Sequence, residues 1–138
     1  MKKNKIDVHS FEIIHGGEVK VKIAAAPYSF GYKQQLYSMS KSFSSTAIGL
    51  LADGGVIDIE GRVVDIFPDK CPNVIGENLS KMRLRHLLSM NTGHSRCLLN
   101  DIRRDKDPVK SFLSFEPDFE PGTHFSTTMP QHLCCRRL

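Results

Sequence analysis

Phe11 and Ile13, then Val19, Val21 and Ile23, alternate with polar neighbours on the two sides of Gly16-Gly17. A period of two puts alternate side chains on one face of a strand, and paired glycines accept the positive φ of a two-residue turn, so the pattern predicts a β-hairpin. Beyond a loop holding Pro27 the period changes. Over residues 41–53, Phe43, Ala47, Leu50 and Leu51 recur at i, i+4, i+7 and i+8, which predicts a helix with those four as its core-facing stripe, closed by Gly54-Gly55. Residues 56–59 read as a short extended piece, 63–67 as a short helix stopped by Pro68, and 69–80 as a polar loop. A second helix is expected over 82–90 and a third over 108–115, with Asp107 as N-cap and Pro108 at its first position. Glu120-Pro121-Gly122-Thr123 reads as a turn.

These elements make an α+β chain, and 138 residues leave room for one core rather than a large two-domain enzyme. With 40% hydrophobic and 25% charged residues the composition is that of a globular protein. The net charge of +4 is spread along the chain among acids and is not joined to an aromatic-basic platform, which argues against a nucleic-acid partner. No apolar run approaches the roughly 18 residues a membrane span needs. The basic start, Met1 to Lys5, is followed by Ile6-Asp7-Val8-His9-Ser10 where a signal peptide would be continuously apolar, so a cytoplasmic protein is expected. Cys71, Cys97, Cys134 and Cys135 have neither C-x-x-C nor paired zinc spacing and are expected to be free thiols.

Ser38-Met39-Ser40-Lys41 is an S-x-x-K tetrapeptide. On a helix this spacing puts hydroxyl and amine one turn apart on one face, the arrangement a serine nucleophile needs from its base. A lysine serves as base only when its ammonium gives up a proton, which burial, nearby positive charge and the positive end of a helix dipole all favour. The same helix start offers the Ser38 N–H to a developing oxyanion. With 13 Ser and 11 Lys in the chain, about one such tetrapeptide arises by chance, so its context decides.

That context is LYSMSKSFSSTAIGLLADGGVIDIEGRVVDIFPD, then MRLRHLLSMNTGH, then FEPGTHFS. Together these strings resemble the serine β-lactamase-like and penicillin-binding family, in its class C β-lactamase, esterase and D-aminopeptidase branch. The resemblance runs from about His9 to Ser126 and is anchored at Ser38, Lys41, Gly54, Arg85 to Leu88, Thr92-Gly93, Pro121-Gly122 and Phe125. It implies an N-terminal antiparallel hairpin, a buried helix opened by S-x-x-K, and a helical region. Ser38 would be the acylated nucleophile and Lys41 the general base or proton shuttle. The substrate would be a small-molecule ester, amide or β-lactam, with no metal or organic cofactor and neither nucleic acid nor membrane as partner. Oligomeric state is not legible.

Where the family continues with Y-x-N, this chain has Thr127-Thr128-Met129. Threonine lacks the phenol that helps move the serine proton, and methionine lacks the amide that hydrogen-bonds substrate. The family's third motif, a Lys- or His-containing triplet on a central strand, has no counterpart. Residues 1–126 are therefore expected to be a partial, truncated β-lactamase-related domain with most of its sheet missing and no catalytic turnover, and a non-catalytic interaction protein is the rival reading. Apolar surface left without partners is expected on the hairpin and on the first helix.

Residues 127–138, TTMPQHLCCRRL, have no apolar periodicity and are expected to be a non-family tail produced by a frameshift. Read one nucleotide upstream, the codons of Thr127, Thr128 and Met129 each permit only Tyr, His, Asn or Asp, so Tyr-Asn-Asn is allowed; the Met129-Pro130 junction then forces alanine. Among the remaining candidates, His86 is expected to pack structurally, His94 and Cys97 lack a second pair to complete a zinc shell, and the charge run 103–107 is expected to be a solvated loop.

Overall fold

The computed structural model describes residues 7–102 and 104–126. They fall into two compact units, Met1–Tyr37 and Ser38–Leu138. The class is α+β, as the pattern predicts: one two-stranded antiparallel sheet and six α-helices among the described residues.

In the first unit β1 (Ser10–His15) pairs with β2 (Glu18–Ala24) across Gly16-Gly17, whose φ values of 59° and 79° explain why two glycines stand there. The ladder runs from Ser10↔Ala24 to Ile13↔Val21 and resumes at Ile14↔Val19, so a bulge falls between Ile13 and Ile14. Glu12 faces Lys22 across the strands at 3.7 Å. The following loop folds back: the His9 ring stacks on Tyr28 with centroids 3.6 Å apart, and the Lys22 ammonium lies over the Phe30 ring. No residue from 7 to 37 is buried, and Ile14 and Ile23 stay 64% and 58% exposed. The apolar residues of the hairpin are thus left uncovered, as expected for strands without further sheet to pack on.

The second unit opens with α1 (Ser40–Asp53), which begins one residue before the predicted start. Its core-facing stripe is not the expected one. Phe43 and Leu50 are 66% and 70% exposed, Ala47 is exposed, and only Leu51 of the four is partly covered, whereas Ile48 is buried. The covered side follows Lys41, Ser44, Ile48 and Leu51, at i, i+3, i+7 and i+10, which is rotated from the more apolar stripe. A helix buries the face that has a neighbour, and here the chain offers neighbours on one side only.

The core comes from short helices downstream: α2 (Val63–Ile66), α3 (Glu77–Lys81), α4 (Leu84–Leu88), α5 (Leu99–Ile102) and α6 (Pro108–Leu113). Val63, Met82, Leu84, Ile102, Phe112 and Leu113 have no measurable exposure. Extended pairing was expected at 56–59; it occurs instead where Arg62 bridges Arg83, with Val63 N–H donating to the Met82 carbonyl at 2.8 Å and Leu84 N–H to Gly61 at 3.1 Å. The loop expected over 69–80 holds the start of α3, because Leu79 is drawn into the core and Glu116, from 37 residues away, accepts from Leu79 N–H and also from Asn78 N–H. The third helix is capped as predicted: the Asp107 carboxylate accepts from Lys110 N–H, and Pro108 opens the helix.

Candidate functional site

Ser38 lies in a 3-10 turn, Tyr37–Met39, that runs directly into α1. It is exposed, and Lys41, one turn on, is half-buried. Two non-glycine residues take positive φ: Tyr37 at 45°, immediately before Ser38, and Met90 at 58°. L-residues pay about 1–2 kcal/mol for that conformation, and such strain gathers where geometry matters. Met90 joins Lys41, Ser42, Ser44, Ser45 and Leu87 around a cleft of about 390 Å³. Of the serines of the 38–45 stretch, Ser42, Ser44 and Ser45 line the cleft, and Ser38 and Ser40 are not among its lining residues. Two hydroxyls of α1, Ser44 and Thr46, are turned back onto the Ser40 and Ser42 carbonyls at 3.2 and 2.9 Å.

The wall that carries Met90 is stitched to residues 115–126. Ser126 N–H donates to the Met90 carbonyl at 3.1 Å, Gly122 N–H to Asn91 at 2.8 Å, and Phe119 N–H to Gly93 at 3.0 Å. Gly93 is required twice over: its φ is +86°, and a Cβ would stand 2.1 Å from the Phe119 carbonyl oxygen. Gly93→Ala is therefore expected to cost about 2–4 kcal/mol from backbone strain and forced separation of the two segments. A denaturant midpoint shift of under half a kcal/mol equivalent would show that the segments are not joined there. Further on, the Asp118 carboxylate accepts from the Ser95 N–H and hydroxyl at 2.9 and 2.7 Å, and these bonds hold its pKa below the ordinary aspartate value.

Both candidate histidines are buried. His94 is buried against Phe112, donates from Nε2 to the Phe115 carbonyl at 3.1 Å, and so accepts at Nδ1 from the Thr92 hydroxyl at 3.0 Å. With both ring nitrogens engaged and Cys97 exposed, the pair is no ligand set, and no cluster of three or more metal-ligating side chains occurs among the described residues. His86 is buried at the start of α4, where Nδ1 accepts from Arg83 N–H at 3.1 Å. Burial lowers the pKa of both, and for His86 the Arg85 charge lowers it further.

The sign of the pH dependence follows. Unfolded, each imidazole takes up its proton near pH 6.5; folded, it does so only at lower pH, so the unfolded state binds more protons below about pH 6.5. Stability is full above that value and falls as pH drops from it toward the folded pKa values. The denaturant midpoint is expected to decline between pH 7.5 and 5, and the decline to shrink in His94→Asn; an equal decline in that variant would remove His94 as its source.

Of the remaining expectations, Cys71 is a partly buried free thiol whose pKa burial raises. In the charge run, Asp105 accepts from the Ser111 hydroxyl and Asp107 N–H while Lys70 pairs with Asp107, so it is fastened rather than merely solvated. The tail 127–138, with Cys134 and Cys135, Arg103 and the basic start lie outside the described residues. No helix among the described residues is long and apolar enough to cross a membrane.

A serine and a lysine stand one turn apart at the head of α1, and the lysine lines an open cleft in an α+β chain. A family model described as Beta-lactamase matches residues 1–128, and the chain belongs to that family. No curated protein matches it.

Proposed function

We propose that Ser38 is the nucleophile and Lys41 the base of a serine acyl-transfer site acting on a small ester, amide or β-lactam. The reading is carried by one observation: the two side chains stand on consecutive turns where the 3-10 turn enters α1, with Lys41 facing the cleft. Ser38 Oγ attacks the carbonyl carbon as Lys41 Nζ, in its neutral form, takes the hydroxyl proton. The tetrahedral oxyanion collapses to a Ser38 ester as the C–N or C–O bond to the leaving group breaks, and the leaving group takes up the proton. Water then cleaves the ester and regenerates Ser38. Neither half requires a metal or an organic cofactor.

For the first half the chain holds a nucleophile and a base, Ser38 and Lys41, and no relay beside them. Thr127 and Met129 stand where the family's Y-x-N would supply a phenol to relay protons and an amide to hold substrate, so acylation is slow and turnover is absent. Intact-mass analysis after incubation with a fluorophosphonate or a β-lactam tests this: one adduct on the Ser38 peptide supports it, and no adduct at all favours the non-catalytic reading. The Thr127–Leu138 segment is read as the product of a lost nucleotide near codon 127. Sequencing the locus decides it, since a restored frame should encode a tyrosine there and run on through a Lys- or His-containing triplet, whereas an immediate stop defeats the idea.

A further inference from the structure

Away from the cleft that Lys41 lines, a second cleft of about 420 Å³ is lined by Arg62, Lys81, Arg83, Arg85 and His86, with Glu120 at its side. The cations come from separate segments brought together by the bridge that sets Arg62 opposite Arg83. Like charges directly opposed across strands are destabilising, so this placement needs counter-charge. Two of the cations have it in full. Arg62 holds Asp65 through two bonds of 2.7 and 3.0 Å, and Lys81 holds Glu77 at 2.8 Å.

Arg83 and Arg85 do not. Their guanidinium groups share the single Glu60 carboxylate, at 3.9 Å from Arg83 and 3.4 Å from Arg85, both long for a charge-assisted bond, and Arg83 Nη1 donates besides to the uncharged Glu60 carbonyl. His86 adds a second mismatch. Neutral imidazole accepts at one nitrogen only, and Arg83 N–H occupies Nδ1, so Nε2 carries the proton. Arg85 directs its Nε–H at that nitrogen from 3.3 Å, so Arg83 and Arg85 call on both ring nitrogens as acceptors and the neutral ring can answer only one. An acceptor beside the pair would satisfy both.

We propose that this cleft binds a tetrahedral oxyanion, the phosphate or sulfate group of a small ligand, between Arg83, Arg85 and His86, with Glu60 as the weak internal occupant it displaces. Three donors on a planar fork and a ring suit oxygens spread about one centre better than the two of a carboxylate. The site lies apart from Ser38 and its reading does not depend on acyl transfer.

Inorganic sulfate is the probe, because its charge is constant through the histidine range. His86 in the full-length protein is titrated by NMR with sulfate and with chloride at matched ionic strength. Sulfate is expected to raise the His86 pKa, which Arg85 and Arg83 otherwise lower, and chloride to leave it in place. Arg85→Gln is expected to weaken sulfate binding at least tenfold, and Glu60→Gln to strengthen it about fivefold; both side chains are about half exposed, so neither change disturbs the core. Equal shifts with chloride, or sulfate binding unchanged in Arg85→Gln, would overturn the proposal. Inorganic phosphate at fixed pH, run beside sulfate, tells which oxyanion the site prefers.

Discussion

Ser38→Ala is expected to abolish covalent labelling by a fluorophosphonate or β-lactam, lowering adduct formation by roughly 10⁴-fold or more, because loss of a nucleophile removes the covalent route itself. Lys41→Met should lower it by roughly 10²–10⁴-fold, the range in which a positioned base contributes. The effect is separable from folding. Ser38 is exposed and lies outside the buried cluster around Phe112 and Leu84, so the thermal midpoint of Ser38→Ala should match that of the parent. Ser42, Ser44 and Ser45 line the cleft with Lys41, yet none has a lysine three residues on. Labelling that persists in Ser38→Ala, mapped to one of them, would reassign the nucleophile.

The double change Thr127→Tyr with Met129→Asn is expected to accelerate acylation by roughly 10²-fold or more, because it supplies a phenol to relay the serine proton and an amide to hold substrate. Ser126 is tied by its N–H to Met90, which lines the cleft with Lys41, and the Cα of the next residue is about 3.8 Å further along the chain. Thr127→Phe with Met129→Asn is the control, since it supplies the ring without the hydroxyl. An equal gain from phenylalanine would mean that packing and not proton relay had been restored. No gain from tyrosine would mean that the chain beyond Ser126 does not approach the cleft productively.

Much of this was legible from local chemistry. Alternation around Gly16-Gly17 specified the hairpin, and Asp107-Pro108 specified the start of α6, because a turn and a cap are decided by residues adjacent in sequence. The buried face of α1 was not legible. Phe43 and Leu50 are the more hydrophobic choice, but burial is settled by which side of the helix meets another element, and that side carries Ile48. α3 was hidden for a related reason: its first N–H groups are satisfied by Glu116, a partner distant in sequence. At the candidate site the spacing of Ser38 and Lys41 could be read directly. The positive φ at Tyr37 and Met90 could not, since nothing in a tyrosine or a methionine announces a left-handed backbone.

The uneven burial of the two units also has a calorimetric meaning. Heat capacity rises on unfolding as apolar surface meets water, by about 12–15 cal/mol/K per residue in an evenly packed protein. Residues 7–37 contribute none of the buried positions, and so their apolar side chains are hydrated before any transition begins. The heat-capacity increment should accordingly fall short of the roughly 1.7–2.1 kcal/mol/K that 138 evenly packed residues would give, by about 0.4–0.5 kcal/mol/K for these residues. The hairpin's apolar side chains should therefore add little to the curvature of the stability dome.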